Sequence, residues 1–155
     1  MDMKQKTFSI HAFSDWDRLA EELVSEFTTG TILGLSGPLG AGKTTFTQAL
    51  ARALGAEGDP RSPTFSLMRT YQLKNHPVLR RLVHIDAYRL EKPGDFLALN
   101  LEEEISEPGT LIVIEWPENI QAWLERQPKY LFMTITPRAG DGREVKLGGQ
   151  ARDNQ

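Results

Sequence analysis

The stretch Gly37-Pro38-Leu39-Gly40-Ala41-Gly42-Lys43-Thr44 constrains this chain more than any other. A glycine, four residues and then Gly-Lys-Thr arise by chance in roughly one chain in 200 of this size. The loop works only between a strand and a helix. Its glycines let the backbone curl so that successive N–H groups face an anion where a β-carbon would clash. The following helix brings the positive end of its dipole to the same point. Both flanks are present: Thr31 to Leu35 reads as a short buried strand, and Lys43 to Leu54 as a helix stopped by Gly55. The pattern predicts a phosphate cradle running from Gly37 to Thr45. Lys43 is placed to reach the β- and γ-phosphates of a nucleotide, and the Thr44 hydroxyl to ligate Mg²⁺.

The rest of the chain supplies the layers such a loop needs. Ser14, with Asp17 three residues on, reads as the cap of a first helix carrying Leu19, Leu23, Val24 and Phe27 and ending at Gly30. Ala56 to Ser62 is a loop by composition. Strand-like stretches follow at Thr64 to Leu73 and Arg80 to Tyr88, and only Lys74 to Leu79 separates them. A parallel crossover needs a dozen or more residues, so these two pair antiparallel. A weak helix runs from Pro93-Gly94 through Ile105 to Pro108-Gly109. Thr110 to Glu115 (TLIVIE), apolar without alternation, is the central strand. Glu118 to Arg126 reads as a short helix, Tyr130 to Thr136 as a strand and Glu144 to Leu147 as an edge strand. The expectation is one P-loop NTPase-like, three-layer α/β domain over residues 1–147, with a mixed, partly antiparallel sheet. Residues 148–155 are expected to be a polar, disordered tail.

Composition narrows the setting. The 155 residues suit one domain, and the 18 Lys and Arg against 21 Asp and Glu leave a net charge of −3. That balance argues against broad affinity for DNA or RNA. No apolar run exceeds four residues, and Met1 to Ile10 lacks the apolar core of a secretory signal. With no cysteine, thiolate metal sites and cysteine nucleophiles are excluded. The expectation is a soluble, cytoplasmic protein without a membrane or DNA partner.

Two acids stand where a nucleotide site needs them. Glu115 ends the TLIVIE strand, and the carboxyl edge of a parallel sheet faces the nucleotide crevice. The plainer alternative is an acid capping a strand end. In His84-Ile85-Asp86-Ala87-Tyr88-Arg89, a period of two puts His84, Asp86 and Tyr88 on one face. That face either lines a site or is the wet side of an antiparallel edge. Ser62 and Thr64 are either a γ-phosphate-sensing loop or ordinary strand-start residues. No Asn-Lys-x-Asp run reads a guanine, and no arginine-dense lid stands out. On residues alone, a small-molecule or nucleoside kinase and a non-hydrolysing nucleotide-dependent interaction module remain rivals to an ATPase.

Gly37 to Phe46, Ser62-Pro63-Thr64-Phe65, His84 to Leu90 and Ile114-Glu115-Trp116-Pro117-Glu118 together resemble the bacterial TsaE family. This is the ATPase component of the tRNA threonylcarbamoyladenosine pathway. The resemblance runs from about Ser14 to Leu147, and it implies ATP and Mg²⁺ as cofactors. Lys43 and the loop amides would hold phosphates, Thr44 and Glu115 would ligate Mg²⁺, and Asp86 would be an acid needed for hydrolysis and a further metal-site residue. Ser62 to Phe65 is similar to the family's switch-type loop, and Trp116 to its tryptophan beside the metal acid. Arg143 resembles a late arginine of the family, with no role assigned. The implied partner is the TsaB–TsaD pair, with tRNA reached only through that complex. ATP hydrolysis would be slow in the isolated protein and needed for turnover of the transferase. Pro38 departs from the family pattern, which usually has Asp there.

Overall fold

In the computed structural model, which describes residues 5–38, 40–57, 67–74, 76–90 and 93–150, the organising element is strand β2 (Thr31–Ser36). Its apolar residues are buried on both faces, which requires a covering layer above and below, the usual setting of a strand with parallel neighbours. The neighbours are β5 (Thr110–Glu115) and β6 (Tyr130–Pro137), both parallel to it. Beyond β5 lie β4 (Arg81–Asp86), parallel, and β3 (Met68–Gln72), antiparallel. Beyond β6 lie β7 (Arg143–Gln150) and β1 (Lys6–Ile10), each antiparallel to its neighbour. The sheet order is β1-β7-β6-β2-β5-β4-β3, the mixed sheet expected.

Strand alternation divides the core in two. Leu33, Leu35, Leu82, Leu111 and Val113 face helices α1 (Phe13–Val24) and α2 (Lys43–Ala53). Ile32, Val83, Ile85, Ile112 and Ile114 face α3 (Pro93–Leu99), α4 (Leu101–Ser106) and α5 (Gln121–Leu124). The result is three layers. No described helix is long and apolar enough to cross a membrane.

Several boundaries differ from expectation. Helix α1 starts after Ala12 rather than at Ser14, because the Asp15 carboxylate accepts from the N–H groups of His11 and Ala12. Strand β1 went unread, since KTFSI mixes polar and apolar residues as an edge strand does. It covers β7, which is therefore not an edge. Nor does the domain stop at residue 147. Gly148, Gly149 and Gln150 continue β7 opposite Phe132, Leu131 and Tyr130, a pairing made by backbone that glycine's poor strand propensity hid. Residues 151–155 lie outside the described residues.

The helix expected from Pro93 to Ile105 breaks at Asn100, whose φ of 55° is left-handed, a conformation asparagine tolerates. Strand β4 ends at Asp86 in a 3₁₀ turn, Ala87–Arg89. The helix expected over 118–126 is a 3₁₀ turn, Pro117–Ile120, followed by α5.

Gly34 shows how tightly β2 is packed. A β-carbon there would lie 2.6 Å from the Tyr130 hydroxyl and 3.0 Å from Pro117. That hydroxyl is buried without a hydrogen-bond partner among the described residues, and burial pushes the phenol's pKa upward. Gly34→Ala is therefore expected to cost about 1–3 kcal/mol by overpacking. Tyr130→Phe, which removes an unpaired buried hydroxyl, is expected to be neutral or stabilising and to recover part of that loss. Urea unfolding midpoints of the two single variants and the double variant measure both effects.

Candidate functional site

The glycines of the loop are required by contacts as much as by curvature. A β-carbon on Gly37 would lie 2.6 Å from the Ile135 carbonyl oxygen of β6. Gly42 has a φ of 120°, and a β-carbon there would meet the Trp16 ring at 2.5 Å. So α1 lays an indole against the loop, which no local sequence pattern announces. Arg143, at the start of β7, clamps the loop from the other side. Its Nε donates to the Ala41 carbonyl at 3.0 Å and its Nη2 to Gly40 at 3.4 Å.

Lys43 opens α2 and is only 6% exposed. Its ammonium donates to the carbonyls of Gly37 and Pro38 and sits 4.1 Å from the centroid of the Trp116 ring. Burial pulls its pKa below the ordinary lysine value, opposed by the carboxylates of Glu115, Glu118 and Asp86. Trp116 reaches this position through a left-handed backbone, φ 60°, stabilised by its N–H donating to the Leu35 carbonyl at 3.2 Å. The indole also packs against Tyr88, ring centroids 5.1 Å apart.

The two acids are adjacent because β4 and β5 are parallel and in register, Asp86 opposite Glu115. Glu115 is 5% exposed. The Thr44 hydroxyl lies 3.3 Å from its Oε1, and His84 Nε2 lies 2.6 Å from its Oε2. Asp86 is more open. It accepts from the Tyr88 N–H at 3.1 Å and lies 3.6 Å from the Arg89 guanidinium. Tyr88 leaves the strand for the 3₁₀ turn, so the face shared with Asp86 consists of His84 alone.

Thr44 and Glu115 offer hard oxygen donors side by side. Among the described residues no group of three or more His, Cys, Asp or Glu side chains could hold a metal ion. The oxygen pair is of the kind Mg²⁺ uses, since that ion is ordinarily bound through one or two protein oxygens together with phosphates and waters.

Two open cavities meet at the loop. One, about 440 Å³, is lined by Lys43, Thr44, Asp86, Glu115, Trp116 and Arg89 among others. The second, about 460 Å³, is lined by His11, Phe13, Trp16, Asp141 and Arg143, and shares Gly40, Gly42 and Thr45 with the first. Of the residues expected from sequence, Gly37, Pro38, Gly40, Ala41, Gly42, Lys43, Thr44, Thr45, Asp86, Glu115 and Trp116 are brought together. Leu39, Ser62 and Thr64 lie outside the described residues. Trp16, His84 and Arg143 complete the assembly without having been assigned a place in it. Of these, only His84 had a local signal, its two-residue spacing from Asp86.

Comparison with known proteins gives a consistent picture. The family model described as threonylcarbamoyl adenosine biosynthesis protein TsaE matches residues 10–145. Proteins described as tRNA threonylcarbamoyladenosine biosynthesis protein TsaE are similar to this chain in several bacteria. The one from Streptomyces coelicolor is 41% identical over 64% of this chain and 66% of its own length. The Bacillus subtilis protein is 39% identical over 75% of this chain and 68% of its own length. The Treponema pallidum protein is 36% identical over 85% and 90%. Among solved structures, Bacillus subtilis YdiB superposes with a TM-score of 0.70 at 27% identity, over 96% of this chain and 87% of that one.

The Arg143 clamp has a direct consequence. Arg143→Ala removes the side-chain donors to two loop carbonyls, so amide exchange at residues 40–43 is expected to accelerate, with a global stability loss of only about 1–2 kcal/mol. Hydrogen exchange read by mass spectrometry measures the first, and a denaturant melt the second.

Proposed function

This chain belongs to the TsaE family, and from that premise we propose that it binds and slowly hydrolyses ATP with Mg²⁺ in tRNA threonylcarbamoyladenosine biosynthesis, supporting turnover of the TsaB–TsaD transferase. The observation that carries the proposal is the contact between the phosphate loop and the acid of the central strand, Thr44 beside Glu115 at 3.3 Å, with Lys43 in the same cavity.

The chemistry follows from these residues. The loop amides and the α2 N-terminus receive the phosphates, and Lys43 exchanges the carbonyls of Gly37 and Pro38 for phosphate oxygens. Thr44 and Glu115 would hold Mg²⁺, which when bound would supply neutralisation of the phosphate charge. Both acids have protein contacts at each oxygen, but Glu115 is committed beside Thr44 in the interior, whereas Asp86 lines the same cavity with the more exposed side chain, 14% against 6%. Asp86 is therefore the better group to orient the attacking water. The water oxygen bonds to the γ-phosphorus as the bond to the bridging oxygen breaks, giving ADP and inorganic phosphate. Trp116, held over Lys43, shields the ammonium from solvent and strengthens its interaction with phosphate. On the far side of the loop, the second cavity takes the base between the aromatic groups of Phe13, Trp16 and His11.

The partner and the process rest on the family. The TsaB–TsaD pair carries the tRNA, and this chain contacts the nucleic acid only through it. Its net charge of −3 supports that indirect role.

Two substitutions separate binding from turnover. Lys43→Ala is expected to weaken ATP affinity. Glu115→Ala is expected to keep most of that affinity and to lower phosphate release about 100-fold or more. Isothermal titration with a non-hydrolysable analogue and a phosphate-release assay read the two quantities. Wild-type turnover in Glu115→Ala would sink the metal-acid role, and transfer of phosphate to an acceptor would make the protein a kinase.

A further inference from the structure

His84 has no part in the mechanism above, yet it is 1% exposed and its Nε2 lies 2.6 Å from Glu115 Oε2. The register explains the meeting. His84 pairs with Val113 and Asp86 with Glu115, and paired residues of parallel strands share a face. His84 therefore lies one pleat below Asp86 on the face that α2 covers, and its ring reaches diagonally to Glu115. An ionised carboxylate can only accept, so Nε2 carries the proton and donates.

We propose that His84 is a positioning residue for Glu115: its Nε2–H occupies Oε2 and so keeps Oε1 turned toward Thr44 and available to a divalent cation. The inference rests on the assignment of Thr44 and Glu115 to Mg²⁺. Three distances support it. Thr44 Oγ1 is nearer Oε1, at 3.3 Å, than Oε2, at 3.5 Å, and the oxygen bound by His84 is the farther one. A carboxylate held at both oxygens in a buried site cannot rotate away from the loop. A group that orients a metal ligand in this way is ordinarily worth 10–100-fold in metal affinity. A histidine that only filled space would leave metal affinity unchanged and lower stability instead.

The test uses Mn²⁺ as the probe, its binding followed by electron paramagnetic resonance in the presence of a non-hydrolysable ATP analogue. His84→Leu is expected to weaken Mn²⁺ binding about 10–100-fold, while affinity for the analogue in EDTA stays at the wild-type value. His84→Gln, whose side-chain amide can present an N–H near the Nε2 position, is expected to restore most of the Mn²⁺ affinity. Should His84→Leu fail to fold, His84→Asn takes its place, because its shorter amide cannot reach Oε2. Unchanged Mn²⁺ affinity in the Leu variant overturns the inference, as do equal losses in the Gln variant and the Leu or Asn variant. A wild-type protein that takes up no Mn²⁺ with nucleotide overturns the parent metal assignment, a result distinguishable from the others.

Discussion

Three parallel strands in register set one row of residues at the carboxyl edge of the sheet: Leu35, Glu115 and Asp86. Nearly everything else at the site depends on that row. Because β2 ends beside β5, the loop leaving β2 curls directly over Glu115, and the first turn of α2 delivers Thr44 to it. Because β4 lies on the other side of β5, a second acid and a histidine arrive on the same face. A shift of one residue in either pairing would turn these side chains into the opposite layer.

Placing ionisable groups at such a row has a cost that the surroundings offset. Glu115, His84 and Lys43 are all nearly inaccessible to water. A buried charge without partners costs several kcal/mol, so each must be satisfied locally. Glu115 receives a hydroxyl and an imidazole N–H, while Lys43 has two carbonyls and the face of an indole. The left-handed backbone at Trp116 stores about 1–3 kcal/mol of strain, held by the packing of the indole on Tyr88 and over Lys43. That strain lies at the site, where the indole bridges Lys43 and the second core cluster. Arg143 and Trp16 brace the loop from two other elements, so its shape is imposed by tertiary contact as well as by its glycines.

What could be read from the sequence is what is local. The phosphate loop, the central TLIVIE strand and the two acids each declare themselves within a few residues, and the short link from residue 74 to 79 settles the antiparallel pairing of β3 and β4. The pairing of His84 with Glu115 depends on a register between strands 31 residues apart, which spacing along one strand does not encode. Arg143 and Trp16 act on the loop across about 100 and 26 residues of chain, so only the folded arrangement shows them. Strands β1 and the end of β7 escaped because β1 is five mostly polar residues at the sheet edge and the end of β7 runs through Gly148 and Gly149, which pair by backbone alone. Asn100 breaks a helix whose hydrophobic spacing continues across the break, so periodicity alone passed over it.

The proposed ATP hydrolysis would be slow in the isolated protein and raised by the transferase and its tRNA. Inorganic phosphate released from Mg-ATP, first by the purified chain and then after adding a TsaB–TsaD pair with tRNA, measures this directly. The predicted result is a low basal rate that rises on addition of the partners. A rate that stays at the basal level with the partners present, while ATP binding is demonstrated in the same sample, would contradict it.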